Sequence, residues 1–256
     1  MNASLTTLPA QSPAARQARI DLAACHRLAV HFGFNEGIDN HLTALVPGHP
    51  DRFYLAPFGL HWSEVKAGDF LEIDFDGRVV AGRGPVEDTA FFIHLPVHRL
   101  APHAHCALHT HMPYATALSM LEDPQLVMAS QNSVGYFEEV ACVDYNGLAY
   151  DQSEGERLAR ALGTKSVLLM ANHGVLVVGE SIAQAFERLY FFERAAMTQM
   201  LALATGRPLH PIPDAVVRAT AAQFKSGSTV AGQSRADLHF GALKRLLDRS
   251  QPDYAT

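Results

Sequence analysis

Short apolar strands alternate with amphipathic helices along the chain, and this alternation limits the fold more than any other feature of the sequence. Apolar residues three and four positions apart predict helices at residues 14–32 and 181–205. Between them, short apolar runs are separated by Gly, Pro, Asn and Asp, a pattern typical of strands joined by tight turns. Most of these strands are connected as hairpins, so we predict an α/β layer structure around a mixed, mainly antiparallel sheet.

Composition narrows the class of protein. The 256 residues are 48% hydrophobic and 18% charged, which is typical of a folded globular protein. The formal charge is −6 and no basic cluster is interleaved with aromatics, so we expect no nucleic-acid partner. The apolar runs are too short to span a bilayer, so we expect no membrane partner. Three cysteines far apart in sequence favour a reducing, cytoplasmic location.

We predict three segments. Residues 1–13 are polar and lack a basic start followed by an apolar block, so we expect a flexible tail and not a signal peptide. Residues 14–210 contain the alternating strands and helices and form the main domain. Residues 211–256 follow a proline-containing break and form a C-terminal helical extension.

Histidines mark a candidate metal site. His109 and His111 end an apolar run, and because strand side chains alternate faces they point the same way. His173 follows a second apolar strand in a tight turn, where it can point into a cleft. Three imidazoles plus an open position form a catalytic metal arrangement, although such histidines can also simply occupy polar strand ends. Cys106 has the wrong strand parity to join them and is better explained as a buried residue.

Longer motifs carry a resemblance to a known family. The stronger ones are LHTHMPYATAL at 108–118 and LMANHGVLVVG at 169–179, and the weaker ones are NHLT at 40–43, APFG at 56–59 and FIH at 92–94. In this order, over roughly residues 14–205, they resemble the class II aldolase/adducin family.

The resemblance implies a three-layer αβα sandwich that assembles as a cyclic homotetramer, with active sites between subunits. It implies one divalent ion per chain, held by His109, His111 and His173, with zinc as the first choice and manganese as the alternative. In family aldolases the ion acts as a Lewis acid on an enediolate during cleavage of a sugar phosphate.

The sequence departs from the family aldolases at Ala90, where they place a glutamate nineteen residues before the first histidine of the pair. The nearest acidic residues on the same predicted helix are Glu87 and Asp88, and Glu87 lies about one turn earlier on a neighbouring part of that face. Glu87 is either an acid/base group that reaches the ion, directly or through a water, or a carboxylate that stabilises the start of the helix. Both interpretations stay open at this point.

The two loops expected to hold the substrate also depart from the pattern. Phe58-Gly59 replaces the Thr-Gly of the family phosphate cradle, and His41 and Thr43 replace Asn and Ser. No Arg or Lys lies beside either loop, whereas a phosphate dianion needs positive charge. We therefore expect a small carboxylate-bearing substrate held by His41, Thr43, Phe58 and Gly59.

Together these features predict a metal-dependent carbon–carbon lyase. It would be an aldolase or a decarboxylase acting on a small hydroxy-carbonyl or hydroxy-carboxylate compound, through a metal-stabilised enolate or carbanion. The alternatives are a non-catalytic adducin-like assembly module, which Ala90 favours, and a sugar-phosphate epimerase, which the altered phosphate loop disfavours. His94 and His98 have helical i, i+4 spacing, and we predict that His94 packs the helix and that the two form no second ligand pair.

Overall fold

A computed structural model describes residues 12–227 and 229–256 of the chain. Residues 1–11 of the predicted tail lie outside the described residues. The helices are α1 (Pro13–Phe32), α2 (Asp88–Leu100), α3 (Pro113–Ser119), α4 (Gln131–Val134), α5 (Gln152–Leu162), α6 (Ile182–Leu203), α7 (Asp214–Ser226) and α8 (Arg235–Ser250). The strands are β1 (His41–Val46), β2 (His49–Leu55), β3 (Leu71–Asp74), β4 (Val79–Ala81), β5 (Cys106–Thr110), β6 (Val140–Val143), β7 (Val167–Met170) and β8 (Gly174–Gly179).

The strands form one eight-stranded sheet in the order β4-β3-β2-β1-β5-β8-β7-β6. Every neighbouring pair is antiparallel except β6 and β7, which are parallel. This arrangement confirms the predicted mixed, mainly antiparallel sheet. It also places β5, which carries His109, between β1 and β8.

Both faces of the sheet are apolar and both are covered by helices. Along β8, Val175 and Val177 pack in the cluster that includes α1 and α6. The alternating residues Leu176 and Val178 pack in the cluster that includes α2 and α5 on the opposite face. Because strand side chains alternate between faces, this division confirms a three-layer αβα sandwich.

Helix ends show where local sequence signals are sufficient. Gly33 ends α1 in the left-handed conformation at φ 72°, as the glycine predicts. Pro85 is typical of a first helical position, but α2 begins at Asp88 with Glu87 as its N-cap. Within the described residues, no helix is both long and apolar enough to cross a bilayer.

Helices α2 and α5 approach each other closely because of two unusual residues. Pro96 lies inside α2 and has no N–H to donate to the carbonyl of Phe92, four residues earlier. Gly155 of α5 lies against that carbonyl, and a Cβ at position 155 would be 1.8 Å from the Phe92 oxygen. Only a residue without a side chain fits there, so Gly155 fixes the spacing of the two helices.

Candidate metal centre

Sheet pairing brings the three predicted ligands together. His109 lies on β5, His111 follows that strand, and His173 lies in the turn between β7 and β8. Because β5 pairs with β8, the turn lies beside the end of β5. One ligand nitrogen from each histidine lies within 4.8 Å of the others, and no other such cluster of His, Cys, Asp or Glu occurs among the described residues.

The backbone around His173 permits this close approach. Asn172 is left-handed at φ 56°, a conformation that asparagine adopts more readily than most residues. A Cβ at Gly174 would lie 2.6 Å from the carbonyl oxygen of Thr110 and 2.9 Å from Cδ2 of His111. The Asn-His-Gly sequence therefore allows β8 to begin directly against Thr110 and His111.

Hydrogen bonds orient two of the imidazoles towards a shared point. Nδ1 of His109 donates to the carbonyl of Val175 at 3.0 Å, which leaves its Nε2 free to bind a ligand. Nδ1 of His111 donates to the carboxylate of Glu36. Nε2 of His111 is buried and has no hydrogen-bond partner among the described residues. A buried polar atom without a partner is unfavourable, and a divalent ion would satisfy it.

The protonation states also fit a metal. Burial, followed by the neighbouring imidazoles, lowers the pKa of His109 well below its usual value. Burial, followed by the charge of His111, lowers the pKa of His173 to about 4. Both rings are therefore neutral at pH 7, and neutral imidazole is the form that binds a metal. The donor set fits a divalent metal ion.

Two residues of the loop before β1 support His111, and sequence reasoning missed both. The Glu36 carboxylate accepts the Nδ1 proton of His111, and the Asn40 side chain accepts its backbone N–H at 3.0 Å. Hydrogen bonds of this kind orient metal-binding histidines and raise their basicity. Glu36 is 75 positions from His111 in the chain, so no local pattern predicts the pair.

Removing the Glu36 carboxylate is expected to weaken metal binding by about 10–100-fold, the usual effect of losing an outer-shell partner. The test is a zinc titration of Glu36→Ala against a chromophoric chelator. Asp39→Ala is the matched control, because Asp39 is an exposed carboxylate in the same loop. Equal zinc affinities for the two variants would contradict the assigned role of Glu36.

Comparison with known proteins identifies the family of the chain. The family described as Class II Aldolase and Adducin N-terminal domain matches residues 20–200. The chain belongs to the class II aldolase and adducin family. The resemblance noted from the motifs is thereby confirmed.

The relatives and similar solved structures include a decarboxylase, an adducin and an aldolase. Decarboxylase NovR of Streptomyces niveus is 31% identical over 239 residues, covering 90% of this chain and 85% of NovR. Alpha-adducin of Rattus norvegicus is 33% identical over 248 residues, covering 90% of this chain but only 33% of the adducin.

Among solved structures, an aldolase II superfamily protein from Pseudomonas syringae is 33% identical with a TM-score of 0.89, covering 96% of this chain and 98% of that one. L-fuculose 1-phosphate aldolase from Glaciozyma antarctica PI12 is 25% identical with a TM-score of 0.81, covering 99% and 96% of the two chains. The family, the decarboxylase and the aldolase together support an activity of the lyase kind.

Glu87 lies at the start of α2, three residues before Ala90. Its carboxylate caps α2 by accepting the backbone N–H groups of Thr89 at 3.1 Å and Ala90 at 2.7 Å. It is not part of the three-histidine cluster. Its Oε2 also lies 3.6 Å from Nε2 of His41. The helix-start interpretation of Glu87 thus matches its contacts, and the acid/base interpretation stays a prediction.

The four predicted substrate residues divide into two groups. His41 pairs with His109 across β1 and β5, and their ring centroids are 4.8 Å apart. His41 also lines a narrow cleft with Phe58, which is 40% exposed. Gly59 follows in a turn at φ 97°. The expectation that Thr43 lines the cleft is corrected, because Thr43 is 0% exposed beneath α2. Its hydroxyl contacts His94 and His98 instead.

A larger cleft of about 500 Å³ adjoins the histidine cluster. Its walls include His111 and His173 together with Thr116, Tyr145 and Leu148. The residues that line the two clefts include no arginine or lysine. Both clefts are therefore poorly suited to a phosphate dianion, which needs charge-assisted hydrogen bonds.

Proposed function

We propose that this protein is a divalent-metal-dependent carbon–carbon lyase of the aldolase or decarboxylase type. The observation that supports it most is the buried Nε2 of His111, which lies beside two other imidazoles and has no partner in the part of the chain that the structure describes. A protein that used this fold only for assembly would have no physical need for an unsatisfied nitrogen in that position. Family membership supports the same type of reaction.

In this proposal His109, His111 and His173 hold one ion per chain, with zinc as the first choice and manganese as the alternative. When bound, the ion supplies Lewis-acid chemistry, since it withdraws electrons from a carbonyl or carboxylate next to the bond that breaks. His41 and Phe58 would orient the substrate, with the Gly59 turn shaping the wall of the cleft. Glu87 is the candidate acid/base group, because its carboxylate faces His41.

The proposed substrate is a small hydroxy-carbonyl or hydroxy-carboxylate compound that bears a carboxylate and no phosphate. The absence of cationic residues from the walls of both clefts supports this choice. A single carboxylate needs less positive charge than a phosphate dianion. The larger cleft beside His111 and His173 has room for an aromatic or aliphatic body on the substrate, and Tyr145 and Leu148 form part of its wall.

The test uses the purified full chain, stripped of metal and reloaded with zinc or manganese. It is offered phosphorylated ketoses and aromatic or aliphatic hydroxy-carboxylates, and the release of aldehyde or carbon dioxide is measured. We expect turnover of the hydroxy-carboxylates only in the metal-loaded protein. Metal-independent turnover, or a preference for the phosphorylated ketoses, would overturn the proposal or its substrate class.

A non-catalytic assembly module is the second candidate. The similarity to alpha-adducin and the alanine at position 90 support it. Metal analysis separates the two, because a scaffold is expected to purify without stoichiometric metal and to gain no stability from added zinc. An epimerase that acts on a sugar phosphate is disfavoured, because no arginine or lysine is among the described residues that line the clefts.

We further propose a homotetramer, following the family resemblance, and a cytoplasmic location, because Cys25, Cys106 and Cys142 are all free thiols.

A further inference from the structure

A continuous line of hydrogen bonds runs from the interior of the α2 layer to the narrow cleft. His98 Nδ1 lies 2.6 Å from the carbonyl oxygen of Ala104, and His98 Nε2 lies 2.8 Å from the Thr43 hydroxyl. The same hydroxyl lies 2.5 Å from His94 Nδ1. His94 Nε2 then lies 2.6 Å from Nδ1 of His41. All four side chains are buried.

The direction of hydrogen-bond donation along this line is set at its inner end, where His98 contacts the Ala104 carbonyl. A carbonyl only accepts, so His98 donates its Nδ1 proton to Ala104 and its Nε2 is an acceptor in the neutral ring. Burial lowers the pKa of His98 to about 4, which keeps the ring neutral at pH 7. The Thr43 hydroxyl has one proton, and it donates that proton to His98.

The direction then passes outwards from Thr43. With its proton used, the Thr43 oxygen must accept from His94 Nδ1. The same holds if the hydroxyl donates to the Ala107 carbonyl, which is farther away at 3.4 Å. Burial also lowers the pKa of His94 well below its usual value, so this ring is neutral and its Nε2 accepts. His41 must therefore donate its Nδ1 proton to His94.

The outer end of the line is Nε2 of His41. This nitrogen faces the Glu87 carboxylate at 3.6 Å, and the same carboxylate already accepts two backbone N–H groups of α2. With Nδ1 protonated in a neutral ring, Nε2 of His41 is an acceptor that faces another acceptor. Two acceptors in this arrangement require a hydrogen-bond donor between them.

We propose that Thr43, His94 and His98 are positioning residues that hold His41 in the Nδ1-protonated form, so that its Nε2 presents a lone pair to the cleft. It follows that a substrate hydroxyl or N–H group that reaches Nε2 of His41 donates its hydrogen there, in line with a hydroxy-carboxylate. This last step rests on the proposed function, because it takes the cleft to be the substrate site. The internal hydrogen-bond direction does not depend on it.

The test is nuclear magnetic resonance of the full, metal-free chain with ¹⁵N-labelled histidine. Long-range ¹H–¹⁵N correlations distinguish a protonated ring nitrogen from a bare one, and the His41 signals are assigned from their loss in His41→Gln. We expect Nδ1–H for His41 in the unmodified protein and in Thr43→Ser, which keeps the hydroxyl. In Thr43→Val, which has nearly the same shape but no hydroxyl, we expect a mixture of the two forms.

An Nε2–H form of His41 in the unmodified protein would overturn the proposal, as would an unchanged His41 signal in folded Thr43→Val. If Thr43→Val does not fold, the spectra of the unmodified protein and of Thr43→Ser decide the question. The measurement needs neither metal nor turnover. Failure of the proposed function would instead appear as a lack of metal binding, and the two failures are thus distinguishable.

Discussion

Replacement of His173 by alanine is expected to abolish stoichiometric zinc binding while the chain remains folded. The change removes one of three clustered nitrogens, a larger loss than the roughly 10–100-fold caused by removing an outer-shell partner. His173 lies in a turn and is only partly buried, so its truncation leaves no sealed cavity. His109→Ala is expected to lose zinc as well.

Two measurements check this result. Metal analysis after dialysis gives the stoichiometry, and thermal unfolding with and without zinc gives the stabilisation. Zinc at about 1,000 times its dissociation constant would stabilise the unmodified protein by about 4 kcal/mol, and the His173 variant by far less. His105→Ala is the matched control, because His105 is exposed near the start of β5 and contacts the Glu180 carbonyl. Full zinc content in His173→Ala would contradict the proposed ligand set.

Replacement of Gly155 by alanine is expected to destabilise the protein by about 3 kcal/mol or more, a large effect for one added methyl group. The new Cβ would lie 1.8 Å from the Phe92 carbonyl oxygen and 2.9 Å from Cγ of Pro96. These atoms belong to the backbone and the proline ring, neither of which can rotate away. Helices α2 and α5 would have to separate.

Equilibrium unfolding in urea measures this effect. Gly241→Ala on α8 is the control, because the new Cβ would meet only the end of the flexible Arg245 side chain, at 3.7 Å. There the usual preference of helices for alanine over glycine is expected to stabilise by about 0.5–1 kcal/mol. Equal unfolding midpoints for the two variants would show that α2 and α5 can adjust without loss.

Features that depend on neighbouring residues were predictable from the sequence. The end of α1 follows from Gly33, and the shared direction of His109 and His111 follows from strand alternation. The start of α2 is less predictable, because Pro85 is typical of a first helical turn but the Glu87 carboxylate caps the helix, which begins three residues after Pro85 at Asp88. Competing local signals of this kind cannot be ranked without the surrounding structure.

Features that depend on strand order were not predictable from local patterns. His173 reaches His109 only because β8 pairs with β5, and the family motifs supplied that expectation. The pairing of Glu36 with His111 had no such motif. Thr43 was expected in the substrate site because it occupies the position of a family serine, whereas here its hydroxyl contacts two histidines of α2.

The position of β5 between β1 and β8 has a consequence for how such a protein can diversify. The amide protons of an interior strand exchange with solvent only when much of the sheet opens, so we expect those of β5 to be among the slowest. Tyr145 and Leu148, at the mouth of the larger cleft, lie outside the strands and helices. Mutations there can change which compounds enter over evolutionary time, while the histidine of the central strand stays in place.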